Sequence, residues 1–335
     1  MKRAKINILD TAAFDNLGMA AVKAARAKRL RPDVEYFFAD FDRNLQTLRR
    51  DIVAGNAPYG HYKRFTIYDP KKRTIHAACF PDRVLHHALM NFVGPVLEKA
   101  MLPFSFACRP GKGPLAAIKW VQRCIRRFPW YVKVDVRSYF DSIDHGILKE
   151  ILNRRVKGKQ VRQLISRIID NYRDKPGKGL PIGSLTSQHF ANYYLDGLDR
   201  FIMEELRCCA YARYMDDIIW WNADRRSAKE SLKAVEDWLS KKRLLNLHEK
   251  RQINRSSRGV TFCGSRVFPG AIRLSKRRRK SYSDKRRQWE KAYLKGLIDE
   301  RQLQSAYASL YAGTVHADSR EWRKKELRMN PTIDV

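Results

Sequence analysis

Residues 211–221 read YARYMDDIIWW. Aromatic and β-branched residues in such a run form a strand that favours burial. Yet Asp216 and Asp217 stand inside it, and a buried carboxylate costs several kcal/mol unless it is paired or bound to metal. Two readings satisfy that constraint. One is a tight hairpin turn that gives its charge to water; the other is a metal site. The remainder of the chain decides between them.

The chain has 335 residues and is 44% hydrophobic, enough for two or three domains with a real core. Lys and Arg number 68 against 35 Asp and Glu, a formal charge of +33. A compact body with that charge repels itself unless a polyanion neutralises it. The basic residues run from Lys2 to Arg328 rather than forming one tail, so a charged face or channel is expected. Nucleic acid is the natural partner. A membrane surface is the competing polyanion, but no apolar run approaches the ~20 residues of a transmembrane helix. No secretory signal opens the chain, and the expectation is a cytoplasmic protein without membrane contact.

Cys79, Cys108, Cys124, Cys208, Cys209 and Cys263 show no CxxC or zinc-type spacing, so reduced and mostly buried thiols are expected. His86 and His87 in DRVLHHALMNFV read as packed or solvated residues on a helix edge. HExxH, P-loop and repeat patterns are absent from the sequence.

The first 60 residues are basic and helical in pattern, with breaks at Pro32, Gly55 and Pro58. From His61, HYKRFTIYDPKKRTIHAACF predicts two strands joined at Asp69–Pro70. RVLHHALMNFVGPVLEKAM predicts a helix, and the loop CRPGKGP opens another, LAAIKWVQRCIRRF. WYVKVDV (130–136) is a short apolar strand ending on Asp135, and Asp144 sits where a helix N-cap belongs. Residues 179–206 read as a loop feeding one long helix, followed by the YARYMDD hairpin. AKESLKAVEDWLSKKRLL is an amphipathic helix and GVTFCGSRVF (259–268) is sheet-like. Beyond Pro269–Gly270 the chain turns intensely basic, and a helical tail is expected to Val335. The class is α/β of the α+β kind, built on an antiparallel sheet, with segments at 1–60, 61–268 and 269–335.

Asp135 at a strand end and Asp216–Asp217 in a hairpin are expected side by side in one sheet. Three converging carboxylates repel unless divalent cations sit among them. Two Mg²⁺ ions roughly 3.5–4 Å apart are what in-line displacement at phosphorus uses. Mg²⁺ takes oxygen ligands and keeps part of its octahedron for water and substrate, so these carboxylates and one carbonyl, that of Val136, suffice.

KVDVRSYFDSIDH, LPIGSLTSQHFANYYL, YARYMDD, LNLHEKRQI and GVTFCG, in that order, resemble the fingers–palm series of a reverse transcriptase. Upstream, PKKRTI, DRVLHHAL and FACRPGKG resemble the early motifs of bacterial members. The resemblance covers roughly residues 60–268, and several motifs in order are far more specific than any one. It implies a right-hand polymerase with fingers, palm and helical thumb. Group II intron and retron enzymes usually carry QG…SP before the long helix. Here the loop has Ile182–Gly183 and Ser187–Gln188, which resembles the enzymes of diversity-generating retroelements. Those copy a template RNA into cDNA with errors concentrated at adenines, and the cDNA replaces part of a target gene.

The resemblance implies roles residue by residue. Asp135 and Asp216 are direct metal ligands and Asp217 a supporting one. Phe140 packs beneath the incoming sugar, where a ring excludes a 2′-hydroxyl. Lys71 and Arg73 hold the triphosphate, Ile182 and Gly183 border the nucleotide, and Lys250 lies near the leaving pyrophosphate as a proton donor. Phe262, Cys263 and Gly264 form the turn that grips the primer end. Arg109, with backbone N–H groups around Gly111 and Gly113, contacts template, and Lys276, Arg277, Arg278 and Arg279 lie along the duplex backbone. Implied partners are template RNA, primer–cDNA duplex, dNTPs and a small, basic, helical, oligomeric accessory protein. The competing readings are a retron or group II-like enzyme of ordinary fidelity, and a non-catalytic nucleic-acid-binding scaffold.

Overall fold

The computed structural model describes residues 3–68, 72–172 and 176–333. The chain opens with α1 (Ile8–Thr11), α2 (Phe14–Ala25), α3 (Pro32–Ala39) and α4 (Phe41–Ala54). Pro32 starts a helix rather than merely breaking one, because a proline at the first helical position forfeits no hydrogen bond. Gly55 ends α4 at φ 86°, a left-handed cap open to glycine at little cost. Then come the antiparallel strands β1 (Tyr62–Tyr68) and β2 (Lys72–Ala78), as expected. Lys71 and the expected turn at Asp69–Pro70 lie outside the described residues.

The helices α5 (Phe80–Ala100) and α6 (Pro114–Arg127) lead to β3 (Trp130–Asp135), then α7 (Tyr139–Ser142), α8 (His145–Asn153) and α9 (Lys159–Asp170). Asp144 caps α8, accepting from the Ile147 amide at 3.0 Å. In α9, Val161, Leu164, Ile165, Ile168 and Ile169 are buried, an i, i+3, i+4 stripe that explains why this segment is helical. The single long helix expected after residue 184 is segmented instead. It runs as α10 (Leu185–Tyr194) and α11 (Asp196–Arg200), then a π turn over Phe201–Glu205. Next come β4 (Ala210–Tyr214), β5 (Asp217–Asn222) and α12 (Arg225–Arg243). The strands β6 (Gln252–Arg255), β7 (Val260–Phe262), β8 (Ser265–Val267) and β9 (Ile272–Leu274) precede α13 (Lys276–Leu294), α14 (Glu300–Ala312) and α15 (Arg320–Met329). The helical tail therefore stops at Met329.

Contacts divide the chain into two compact units that interleave in sequence: 1–109 with 136–205 and 233–249, and 110–135 with 206–232 and 250–335. In the first unit, α2 packs on α4 and α5, and α10 also packs on α5. Its β1–β2 ribbon is largely exposed, with Phe65, Ile67 and Tyr68 facing solvent.

The second unit holds an antiparallel sheet of order β4-β5-β3-β6 and a smaller one of order β7-β8-β9. On β5, Ile218, Ile219, Trp220 and Trp221 are all fully buried, so this strand is covered on both faces. Indole N–H groups so placed need acceptors. Trp220 donates to Ser231 Oγ at 2.9 Å, and half-buried Trp120 on α6 donates to the Tyr211 carbonyl at 2.8 Å, whereas the buried Trp221 Nε1 has no acceptor among the described residues.

The six cysteines are free thiols. The expectation that most are buried fails: Cys124 and Cys208 are buried, Cys79 and Cys263 half-buried, Cys108 and Cys209 exposed. Those last four lie in connections between helices and strands rather than inside them. His86 is packed, as one of the two sequence readings had it, with Nδ1 3.2 Å from the Ser184 hydroxyl.

Candidate active site

The YMDD segment is a hairpin. Tyr214 pairs with Asp217 across a two-residue loop of Met215 and Asp216. Met215 takes φ 55°, uncommon for a residue with a side chain and typical of tight hairpin loops. A buried arginine braces the loop from behind, Arg213 donating through Nη1 to the Met215 carbonyl at 3.3 Å.

Asp217 also pairs in register with Asp135 on β3. Two residues more than 80 positions apart in sequence are thus neighbours in one sheet, as expected. Burial raises the Asp217 pKa, Lys133 opposes that, and Asp135 adds to it. Lys133 Nζ lies 2.6 Å from Asp217 Oδ1. Among the described residues, no three Asp, Glu, His or Cys side chains converge closely enough to form a metal cage. The expected three-carboxylate convergence is therefore not preformed: Lys133 supplies positive charge to one of the three. The donor chemistry still suits a hard cation, since Asp135, Asp216 and Asp217 offer oxygen and Mg²⁺ needs only one or two protein carboxylates. Val136, the next residue after Asp135, is buried and bridges Leu247.

Behind this sheet edge, β7 and β8 turn through Cys263 at φ 45° and Gly264 at φ 77°, a hairpin with both central residues left-handed. Phe262 is buried beneath it. A Cβ on Gly264 would come within 2.6 Å of Arg278 Nε, so the Arg278 side chain lies directly against this turn. Arg278 also lies 3.4 Å from His316 Nε2, while Lys276, Arg277 and Arg279 are exposed. Burial, then the Asp217 charge, pushes the Cys263 thiol up. Lys250 is exposed just before β6.

The first unit carries the other residues. The Ile182 carbonyl accepts from the His76 amide at 2.9 Å, docking the 179–184 loop on β2, the strand that bears Arg73. Gly183 takes φ 109°, and a Cβ there would meet Ile75 Cγ2 at 2.9 Å, so glycine is required. Phe140 is half-buried, its carbonyl accepting from Leu180 N at 2.9 Å and its ring edge-on to Tyr139 at 5.8 Å.

Arg109 requires a correction. It is buried, forks onto Glu98 through Nε and Nη2 at 2.7 Å each, and donates to the Ser105 carbonyl at 3.1 Å. Its donors brace the end of α5 and the segment after it rather than facing outward. Gly111 and Gly113 have open space around them, since a Cβ on either meets nothing within 4 Å. Sequence reasoning passed over Lys133 and Arg213. The available signal was a cation inside an otherwise apolar strand, which must have an internal partner.

Residues 68–267 match the family model described as "Reverse transcriptase (RNA-dependent DNA polymerase)". The chain belongs to that family. It is 28% identical over 140 residues to the "Group II intron-encoded protein LtrA" of Lactococcus lactis subsp. cremoris, covering 40% of this chain and 23% of that protein. It is 24% identical over 209 residues to "Protein YkfC" of Escherichia coli (strain K12), covering 58% and 54%. The chain thus spans about half or less of these relatives' own length. A solved apo telomerase from Candida tropicalis, truncated from its C-terminal domain, aligns with TM-score 0.46 and 14% identity over 64% of this chain and 55% of that one.

Proposed function

We propose that this chain is an RNA-directed DNA polymerase of the diversity-generating type, copying a template RNA into cDNA with errors concentrated at adenines. The observation that carries the polymerase reading is the register pairing of Asp135 with Asp217 on the sheet whose hairpin presents Asp216. Two Mg²⁺ ions held by Asp135, Asp216 and the Val136 carbonyl, with Asp217 in support, would lower the barrier to attack of a primer 3′-hydroxyl on the triphosphate. The chain's own residues position the reactants. Arg73 offers the triphosphate a planar fork, with Lys71 as its companion. Phe140 excludes ribose, and Lys250 delivers a proton toward pyrophosphate. Phe262 and Gly264 orient the primer end.

Residues 61–268 would serve as fingers and palm, and 269–335 as thumb. The first turn of α13 contains no acid and carries Lys276, Arg277, Arg278 and Arg279 at the positive end of the helix dipole. That placement is unfavourable in isolation and becomes favourable against phosphate. Template RNA, primer–cDNA duplex and dNTPs are the substrates; a small, basic, oligomeric helical protein would assist priming, with RNA bridging the two basic partners.

Primer extension on an RNA template with Mg²⁺ tests the reading. Asp216→Asn should abolish synthesis while leaving RNA binding nearly intact; near wild-type synthesis by that variant would refute the metal assignment. The retroelement subtype is supported by Ile182 and Gln188 standing where accurate relatives carry glutamine and proline. The second reading, a group II-like enzyme of ordinary fidelity, is favoured by the similarity to an intron-encoded protein. The error spectrum of the cDNA separates the two.

A further inference from the structure

Lys133 precedes Asp135 by two residues on β3, so the alternation of a strand puts both side chains on one face. Its Nζ is 2.6 Å from Asp217 Oδ1, and the two side chains are only 17% and 29% exposed. A pair so covered is screened far less than a surface salt bridge. Taking both charges out of water costs several kcal/mol, which a purely structural strand would avoid with an apolar residue.

We propose that Lys133 is the resident counter-cation of Asp217: it holds that carboxylate in place while no divalent ion is bound and is displaced from it when one binds. The inference rests on the metal reading above and concerns how the chain sets the affinity of that site. Asp217 stands opposite Asp135, and with nothing positive between them the two carboxylates would repel. The ammonium answers this with one charge on a flexible four-carbon stem. A dication supplies two charges to the same oxygens, and the two cations repel at such distances. Entry of the ion therefore displaces the ammonium, and Lys133 lowers the affinity of the empty site. Lys133 is a positioning residue in this account: it acts on reactants through Asp217.

Mn²⁺ titration of the full chain without nucleic acid, followed by the resonance of the free ion, reads affinity without turnover. Lys133→Met keeps the length of the side chain and removes its charge; it should tighten Mn²⁺ binding roughly three- to tenfold. Lys133→Arg keeps the charge and should stay within about twofold of wild type. Asp135→Asn identifies which binding belongs to this site. Equal or weaker binding by Lys133→Met, alongside wild-type binding that Asp135→Asn abolishes, overturns the inference and leaves the metal reading intact. Tightening by Lys133→Arg equal to that by Lys133→Met also overturns it, because charge would not be the cause. Wild-type binding indifferent to Asp135→Asn overturns both. Lys133→Gln is titrated in parallel, with thermal melts of every variant, so that misfolding of one replacement does not decide the result.

Discussion

The carbonyl of Ile182 accepts a hydrogen bond from the backbone amide of His76 at 2.9 Å. The loop is thus fastened to β2 by main chain, and the side chain at 182 can change without breaking that link. Ile182→Gln should fold normally and lower misincorporation opposite template adenine more than opposite the other bases. A glutamine amide restores polar contacts worth about 1–3 kcal/mol, hence roughly ten- to a hundredfold in discrimination. Sequencing cDNA made by both forms on one RNA measures it; equal adenine error rates with activity retained would remove Ile182 from the fidelity argument.

Phe140→Ala should admit ribonucleotides by opening space at C2′ of the incoming sugar. The ring is half-buried with an edge contact to Tyr139, so some loss of stability is expected as well. The ratio of ribo- to deoxynucleotide incorporation on one template separates the effects, because a packing defect alone lowers both. An unchanged ratio returns Phe140 to the core.

His86 is buried, and burial first, then His87, lowers its pKa to about 3. The unfolded chain takes that proton near the ordinary value of about 6.5. Between those values the unfolded state binds more protons, so the stability His86 contributes is complete above about 6.5 and is lost as pH falls toward about 3. The slope is at most about 1.4 kcal/mol per pH unit. Urea midpoints taken from pH 7 down to 4.5 should fall less steeply in His86→Asn than in wild type. Parallel curves would exclude His86 as a source of acid sensitivity.

Template–primer binding should weaken sharply with salt, each phosphate contact contributing about 0.9 to the log–log slope. Replacing exposed Lys276, Arg277 and Arg279 with glutamine should flatten the slope by about 2–3. Arg278, tucked against the Gly264 turn, should chiefly alter primer extension rather than the slope. An unaffected slope in the triple variant would mean the first turn of α13 faces solvent.

What could be read from sequence, and what could not, follows from the range of the interactions. The strand through Asp135, the Asp144 cap and the 211–221 hairpin are set by local chemistry: alternation, an acceptor three residues before an amide, a two-residue turn. Their pairing into one sheet edge was legible only because carboxylates in apolar strands demand a shared explanation. Arg109 misled because a basic residue beside a glycine loop looks the same whether it faces phosphate or Glu98. The segmentation after Tyr194 depends on packing that no single window of sequence contains. Lys133 was visible but unassigned, since its partner lies on another strand.

The free thiols offer one practical consequence. Exposed Cys108 belongs to the first compact unit and exposed Cys209 to the second, while the other four are half-buried or buried. The native sequence therefore carries one accessible labelling position on each unit. A donor and an acceptor dye attached there would report, molecule by molecule, whether the separation of the units changes when template, primer and nucleotide arrive in turn.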